Sequence, residues 1–196
     1  MIYDMQTLKN MYHNYSNINQ KIMLEENSGN LVRIKRGLFS DDVRRDKYVI
    51  ANVCCSPSYI SFEYALSFYG IIPEAVSVIT SAAFNKRKRK LYRSNGITLE
   101  YRDIPSNAFS YGIEIAKAEN GMNYKIASKE KALCDEIYSK YPVRSIKDLK
   151  MMLFEDLRID IDEIKAMDLN ELVIHASLYS SNSLKILIKY IKKELM

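Results

Sequence analysis

A short basic run is the part of this sequence whose residue types most clearly suggest a chemistry. In KRKRKLYR, at 86–93, six of the eight residues are lysine or arginine. A run of this kind either binds an anionic partner or forms a solvated face. Because all of its charges have one sign, we interpret it as a secondary nucleic-acid contact or as a patch for an acidic protein or RNA. The candidate residues are Lys86, Arg87, Lys88, Arg89, Lys90 and Arg93.

A second group of polar and basic side chains lies within the first forty residues. Asparagine and glutamine can each form two hydrogen bonds with adenine, whereas arginine and lysine bind phosphate without sequence preference. This combination indicates a DNA-binding surface, and a small helical cap with solvated polar residues is the alternative. The candidate DNA-binding residues are Ser16, Asn17, Asn19, Gln20, Lys21, Arg33, Lys35 and Arg36.

Patterns typical of catalysis are weak. Glu114 and Lys117, with Glu100 on a preceding strand, resemble in outline the carboxylates and lysine of restriction-type nucleases. Residues i and i+3 of a strand point to opposite faces, so this spacing argues against that function. The three cysteines and two histidines lack metal-ligand spacing, and neither a phosphate-binding glycine loop nor an activated nucleophile is found. We therefore expect no enzyme, no metal and no cofactor.

The elements that would position the DNA-binding residues form residues 1–46, called the head below. Apolar spacing predicts a helix over 5–15 and a second helix that is capped by Ser16 and ends near residue 26. Residues 31–40 alternate between apolar and basic residues, which predicts a basic two-stranded wing. Helix, tight turn, helix and basic hairpin is the order of a winged helix-turn-helix, in which the second helix enters the major groove.

The remaining residues, 47–196, form the body, and the charged segment 41–47 is the predicted joint. By length the apolar segment 48–55 can be a helix or a strand, and a helix is favoured. A further helix is predicted from the N-cap Ser61 to Gly70, with strands over 76–80 and 97–102 on either side of the basic run. Asn120-Gly121 predicts a hairpin of strands 111–118 and 122–127, followed by a helix that Ser128 caps. Only helices are predicted over 145–196. The fold class is α+β, with a mostly antiparallel sheet to about residue 140.

Three phrases of the chain are similar to those of a known family. The pattern YIS-x-E-x-ALS-x-YG-x-IPE-x-V-x-VIT at 59–80, the phrase IASKEKALCDEIY at 126–138 and the phrase LVRIKRGLFS at 31–40 resemble the AbiEi family, the antitoxins of bacterial type IV toxin-antitoxin (abortive infection) systems. The resemblance covers roughly residues 31–140. It also agrees with the winged helix-turn-helix predicted for the head.

The resemblance implies a function in phage resistance. A protein of this family represses its own operon by binding inverted repeats of double-stranded DNA, and it neutralises a nucleotidyltransferase-type toxin without forming a stable complex with it. The C-terminal region is expected to carry the antitoxin activity. A non-catalytic RNA- or protein-binding module that uses the basic run is the alternative function, and a nuclease is a distant third.

Composition sets the remaining expectations. An apolar fraction of 47% suits a folded globular protein, and the net charge of +5 is compatible with an anionic partner without requiring one. We expect no membrane-spanning segment, a cytoplasmic location and reduced cysteines. Because no heptad seam is present, we expect a monomer in solution.

Overall fold

The computed structural model describes residues 1–44, 46–85 and 89–196 of the chain. It is a mixed α and β structure with two sheets. The strands are β1 Ile2–Asp4, β2 Val32–Lys35, β3 Leu38–Ser40, β4 Ser58–Ile60, β5 Val78–Phe84, β6 Lys90–Ser94, β7 Ile97–Ile104, β8 Ile113–Lys117 and β9 Asn123–Ala127. The helices are α1 Met5–Met11, α2 Ile18–Asn27, α3 Lys47–Cys54, α4 Phe62–Phe68, α5 Ser106–Phe109, α6 Lys129–Ser139, α7 Ile146–Lys150, α8 Ile161–Lys165, α9 Leu169–Ser177 and α10 Asn182–Tyr190. Two π-helical segments, Met151–Asp156 and Ile191–Leu195, extend α7 and α10.

The head contains α1, α2 and a small antiparallel sheet of order β1-β3-β2. The β2–β3 hairpin confirms the two strands predicted within 31–40, but β1 was not predicted. The helix boundaries also differ from the prediction, because α1 ends at Met11 and α2 begins at Ile18. The head is held together by a small core of four buried side chains: Leu8, Ile22, Leu31 and Phe39.

The six-stranded sheet of the body is mixed: most of its strand pairs are antiparallel, as predicted, but two parallel pairs were not predicted. Its order is β6-β7-β5-β4-β9-β8. The β5–β7 and β4–β9 pairs are parallel, and the other three pairs are antiparallel. Hairpin signals between neighbouring segments can predict antiparallel partners, but β5 and β7 become partners only because β6 folds back outside β7.

The β4–β9 pair is a narrow seam within this sheet. Its register contains one residue pair, Ile60 and Ile126. Beyond it, the side chain of Asn52 on α3 takes over the bonding: Asn52 Nδ2 donates to the backbone oxygen of Lys125 at 3.2 Å, and Asn52 Oδ1 accepts from the backbone N–H of Lys125. A side-chain amide therefore replaces a neighbouring strand at this position.

Helices cover both faces of the sheet, as two consecutive residues of β7 show. The hydroxyl of Tyr101 donates to the backbone oxygen of Ala51 on α3 at 2.7 Å. Arg102 instead reaches Glu63 on α4 and Glu136 on α6. Successive side chains of a strand point to opposite faces, so α3 lies on one face and α4 and α6 lie on the other.

Local signals correctly predicted several elements of the body. The helix at 48–55 and the 111–127 hairpin are present as α3 and β8–β9. Ser128 caps α6 by accepting a hydrogen bond from the backbone N–H of Lys131. Ser61 stands at the N-cap position of α4, but its hydroxyl makes no cap hydrogen bond and donates to Asp135 instead. Among the described residues, no helix is long and apolar enough to cross a membrane.

Candidate nucleic-acid interface

The position of α2 is set by a side-chain cap and by the small core of the head. Asn17, which was predicted to read bases, is the N-cap residue of α2, and its Oδ1 accepts from the backbone N–H of Gln20 at 3.0 Å. The predicted cap, Ser16, is exposed one residue earlier. Ile22 is the one residue of α2 that is fully buried, so most of the helix surface faces outward. The side-chain oxygen of Asn17 was expected to accept a hydrogen bond from a base. In the structure it accepts from the backbone of α2 and caps the helix instead.

One row of α2 side chains faces solvent. Gln20, Met23, Leu24 and Asn27 are spaced i, i+3, i+4 and i+7, and all four are exposed; we call them the outer face of α2. Met23 and Leu24 are 53% and 54% exposed, which is high for large apolar side chains. Amide groups can read adenine and apolar groups can contact the thymine methyl group, so the outer face of α2 carries both kinds of base-reading chemistry.

The charged residues of α2 are engaged within the head. Lys21 Nζ donates to Glu25, and its ammonium group lies 5.1 Å from the centre of the Tyr15 ring. The hydrogen bond that Lys21 donates to Glu25 raises the pKa of Lys21. Asn19 is exposed and remains available to a partner. Of the predicted contacts on α2, the described geometry therefore leaves Asn19 and Gln20 outward-facing, while Lys21 is neutralised.

The basic residues of the β2–β3 hairpin have three different environments. Arg33 forms a two-point pair with Glu26, in which Nε donates at 2.8 Å and Nη2 at 2.7 Å. Its guanidinium group also lies 5.1 Å from the centre of the Phe39 ring. Lys35 is half-buried, and its Nζ donates to the backbone oxygen of Cys54 at 2.5 Å, so it anchors the hairpin to α3. Arg36 is exposed at the turn of the hairpin.

The described part of the basic run consists of Arg89 and of residues of β6, which is an edge strand of the body sheet. Lys86, Arg87 and Lys88 lie outside the described residues. Arg89 pairs with Glu100, Lys90 is half-buried and Arg93 is exposed. Ser94 Oγ at the end of β6 donates to the backbone oxygen of Arg33 at 2.8 Å. The basic hairpin of the head and the basic edge strand of the body are therefore adjoining elements.

A cluster of charges on the face of the body sheet that α4 and α6 cover was not predicted from the sequence. We call it the arginine cluster: Glu63, Glu100, Arg102, Glu136 and Lys140. Arg102 Nε donates to Glu100 at 2.5 Å, Nη2 donates to Glu63 at 3.0 Å, and Nη1 lies 3.5 Å from Glu136. Lys140 Nζ lies 3.0 Å from Glu136 Oε1. Burial and, secondarily, the charge of Glu63 raise the pKa of Glu136 to about 7.

Only part of the arginine cluster leaves a local signal in the sequence. Glu100 and Arg102 are two apart on β7, so they share one face of the strand. Glu136 on α6 and Lys140 at the C-cap of α6 are four apart and form an ion pair. Glu63 comes from a third element, and no short motif links the three. Glu63, Arg102 and Lys140 border an open cavity of about 370 Å³.

A second buried network involves the carboxylate of Asp135. It accepts from Tyr59 at 3.0 Å, from Ser61 at 2.7 Å and from Lys131 Nζ at 2.9 Å, and it also binds the hydroxyl of Tyr179. Lys131 and Asp135 are both fully buried. Because each polar group in the network has a partner, we assign it to the stability of the body rather than to a site.

The residues considered for a nuclease do not meet. Glu114 and Lys117 are exposed on β8, whereas Glu100 is on β7, and three strands separate β7 from β8. In the described part of the chain, no group of three or more histidine, cysteine, aspartate or glutamate residues is arranged to hold a metal ion.

Comparison with known proteins adds no family assignment to this geometry. No family model matches the chain, and no curated protein matches its sequence.

Proposed function

We propose that this chain is a type IV antitoxin of the AbiEi kind that represses its own operon by binding inverted-repeat DNA. In this proposal the head acts as a winged helix-turn-helix, α2 enters the major groove, and the β2–β3 hairpin is the wing. The observation that carries the DNA-binding part is the exposure of the outer face of α2, including its two large apolar side chains. A partner that covers this face would bury Met23 and Leu24 and satisfy Gln20 and Asn27.

The distribution of charge supports a DNA partner with few phosphate contacts. Residues 1–46 contain seven basic and six acidic residues, so the head alone has little excess charge. Arg36 on the hairpin and Arg93 on β6 are exposed cations on adjoining elements. We assign phosphate binding to these residues, with Lys90 beside them. Affinity should therefore depend on base contacts and only moderately on salt.

The antitoxin part of the proposal rests on the sequence resemblance at 59–80 and 126–138. The functional partner would be a nucleotidyltransferase-type toxin, opposed without a stable complex. The protein would act in the cytoplasm, as a monomer in solution, with separate copies on the two repeats. A toxin gene of this type directly downstream of the coding sequence would support it. Expression of that toxin alone should stop growth, and co-expression of this chain with the toxin should restore growth.

The DNA-binding part is tested by gel shift with DNA from upstream of the coding sequence, against a random-sequence duplex of equal length. The wild-type chain should prefer the upstream DNA. Replacing both Gln20 and Asn27 by Ala should remove most of this preference, because a two-point base contact contributes about 1–3 kcal/mol of discrimination. Asn170→Ala, at an exposed amide on α9, is the matched control and should bind like wild type. Equal affinity of wild type for both duplexes would refute the proposal.

A non-catalytic RNA- or protein-binding module is the second candidate. It is favoured by the position of Lys90 and Arg93 on an edge strand of the body. In that case, charge reversal at Lys90 and Arg93 should abolish binding of a single-stranded RNA, whereas the α2 variant should bind it normally. Loss of upstream-DNA binding in the α2 variant, without any RNA binding by wild type, would exclude this candidate.

A further inference from the structure

Two cations of the head that would touch DNA phosphate are instead held by carboxylates of α2. Arg33 is engaged at two points by Glu26, at 2.8 and 2.7 Å, and Lys21 is engaged by Glu25. Glu25 also accepts from the side-chain amide of Asn30 at 2.9 Å, which fixes its position. The Arg33 side chain is 49% exposed, so burial does not keep phosphate away from it. What occupies the guanidinium group is the carboxylate of Glu26.

The Arg33–Glu26 pair is fixed on more than one side. The guanidinium plane lies over Phe39, a residue of the head core, and the backbone oxygen of Arg33 accepts from Ser94 of the body. Two of the five guanidinium N–H groups are used by Glu26. A phosphate that approached Arg33 would therefore meet the negative charge of Glu26 at the same place.

The effect of such a pair differs between the two modes of DNA binding. Non-specific binding is driven by phosphate neutralisation and samples many orientations, so any available cation finds a phosphate. Specific binding is fixed in one orientation by base contacts. A cation paired with a carboxylate in that orientation stays paired. Carboxylates that hold surface cations therefore weaken non-specific binding more than specific binding.

We propose that Glu26, assisted by Glu25, is a specificity-determining residue that suppresses non-specific DNA binding by holding Arg33 and Lys21 away from phosphate. This inference rests on the proposed DNA-binding function. It also gives Arg33 a different role from that of a phosphate ligand: its positive charge offsets the carboxylate of α2 beside the base-reading face. DNA sequence is then read by the outer face of α2 with little help from electrostatic attraction.

The test measures the affinity of Glu26→Gln for the upstream DNA and for a random-sequence duplex over a range of salt concentrations. Affinity for the random duplex should rise about tenfold at 0.1 M salt, and the slope of log K against log salt should steepen by about 1, as expected for one added phosphate contact. Affinity for the upstream DNA should change by less than about threefold, since the added phosphate contact forms mainly in the non-specific mode. The ratio of the two affinities should therefore fall.

Three controls accompany this variant. Glu163→Gln removes the same charge from an exposed position on α8 and should leave both affinities unchanged. In an Arg33→Ala background, Glu26→Gln should no longer steepen the salt slope for the random duplex, because the effect acts through Arg33. Thermal unfolding of each variant shows whether the head remains folded.

The outcomes separate the two proposals. If wild type shows no preference for upstream DNA, the proposed function fails. If wild type shows the preference but Glu26→Gln leaves the affinity ratio unchanged, or weakens both affinities while remaining folded, the inference about Glu26 is wrong and the proposed function is unaffected.

Discussion

Arg102 shows how one residue can connect three elements of the body. Its guanidinium group binds carboxylates from α4, β7 and α6, and it also lies 4.9 Å from the centre of the Phe62 ring. Glu136 is fully buried, and its neighbours oppose one another: Glu63 raises its pKa, whereas Lys140 and Arg102 lower it. Burial is the largest influence, so the pKa of Glu136 rises from 4.5 to about 7.

This raised pKa predicts how stability depends on pH. Between pH 4.5 and 7 the folded state keeps the Glu136 proton that the unfolded state has lost, so the contribution of Glu136 to stability falls as pH rises through this window. Glu136→Gln removes this dependence. Relative to wild type, the variant should gain about 2 to 3 kcal/mol in free energy of unfolding between pH 5 and pH 8. Urea unfolding at the two pH values measures the difference.

Glu163→Gln, at an exposed position, is the control and should show no such pH-dependent gain. A constant difference between Glu136→Gln and wild type at pH 5 and pH 8 would contradict the prediction. It would mean that Lys140 and Arg102 hold Glu136 ionised in the folded state across the whole range.

At the scale of the element, the N-terminus of α2 separates two asparagines that look alike in the sequence. Both are exposed, but Asn17 caps the helix by accepting from the backbone N–H of Gln20, whereas Asn19 lies in the first turn. Asn17→Ala should lower the free energy of unfolding by about 1 kcal/mol, since an N-cap side chain contributes this much. Asn19→Ala should leave stability unchanged and weaken binding to the upstream DNA. Thermal unfolding and gel shift of the two variants distinguish the roles.

The opposite pattern would show that the assignment is reversed: stability lost in Asn19→Ala and retained in Asn17→Ala. Asn19 is a candidate DNA contact beside the outer face of α2, so a stable Asn19→Ala variant with full DNA affinity would remove Asn19 from the interface.

Elements with strong local signals were predictable, and those made by distant partners were not. Ser128 and the Asn120-Gly121 turn define α6 and the β8–β9 hairpin through bonds between near neighbours. β1 and β4 are three residues long and obtain their hydrogen bonds from β3, β5 and β9. No local pattern of three residues contains that information. Ser61 shows the same limit, because its position was predicted but its partner, 74 residues away, was not.

The candidate interface was predictable to a similar extent. Residue types indicated which segments could touch DNA, and α2 and the hairpin are present. The pairing of Arg33 with Glu26 depends on how β2 packs against α2 within the head, and the contact of Lys35 with Cys54 depends on how the head is placed against the body. Sequence spacing records neither. The arginine cluster was missed for the same reason.

At the scale of the whole molecule, the head is not packed independently of the body. Its own core contains four buried residues, whereas Ile34, Leu38 and Val43 belong to the core of the body. Lys35 and Arg33 add hydrogen bonds across the same boundary. Small units with so few buried side chains do not fold alone without a staple.

We therefore predict that residues 1–46, produced alone, are unfolded, and that the complete chain unfolds in one transition. The isolated segment should show neither a cooperative thermal transition by circular dichroism nor dispersed amide resonances. Two separate transitions in the complete chain, with the first removed by deleting the head, would contradict this prediction and would make the head an autonomous unit.

The seam between β4 and β9 gives one position of the sequence an unusual weight. Hydrogen bonds of a sheet are normally made by the backbone and are therefore indifferent to which side chains the strands carry. Beyond Ile60 and Ile126, the bonding of Lys125 passes to the side chain of Asn52. Sheet continuity there depends on residue identity, because a replacement must supply both a donor and an acceptor at the same reach. Aspartate supplies only acceptors and alanine supplies neither. The identity of residue 52 therefore determines whether the backbone N–H and C=O of Lys125 are both hydrogen-bonded on the side of β9 that faces away from β8.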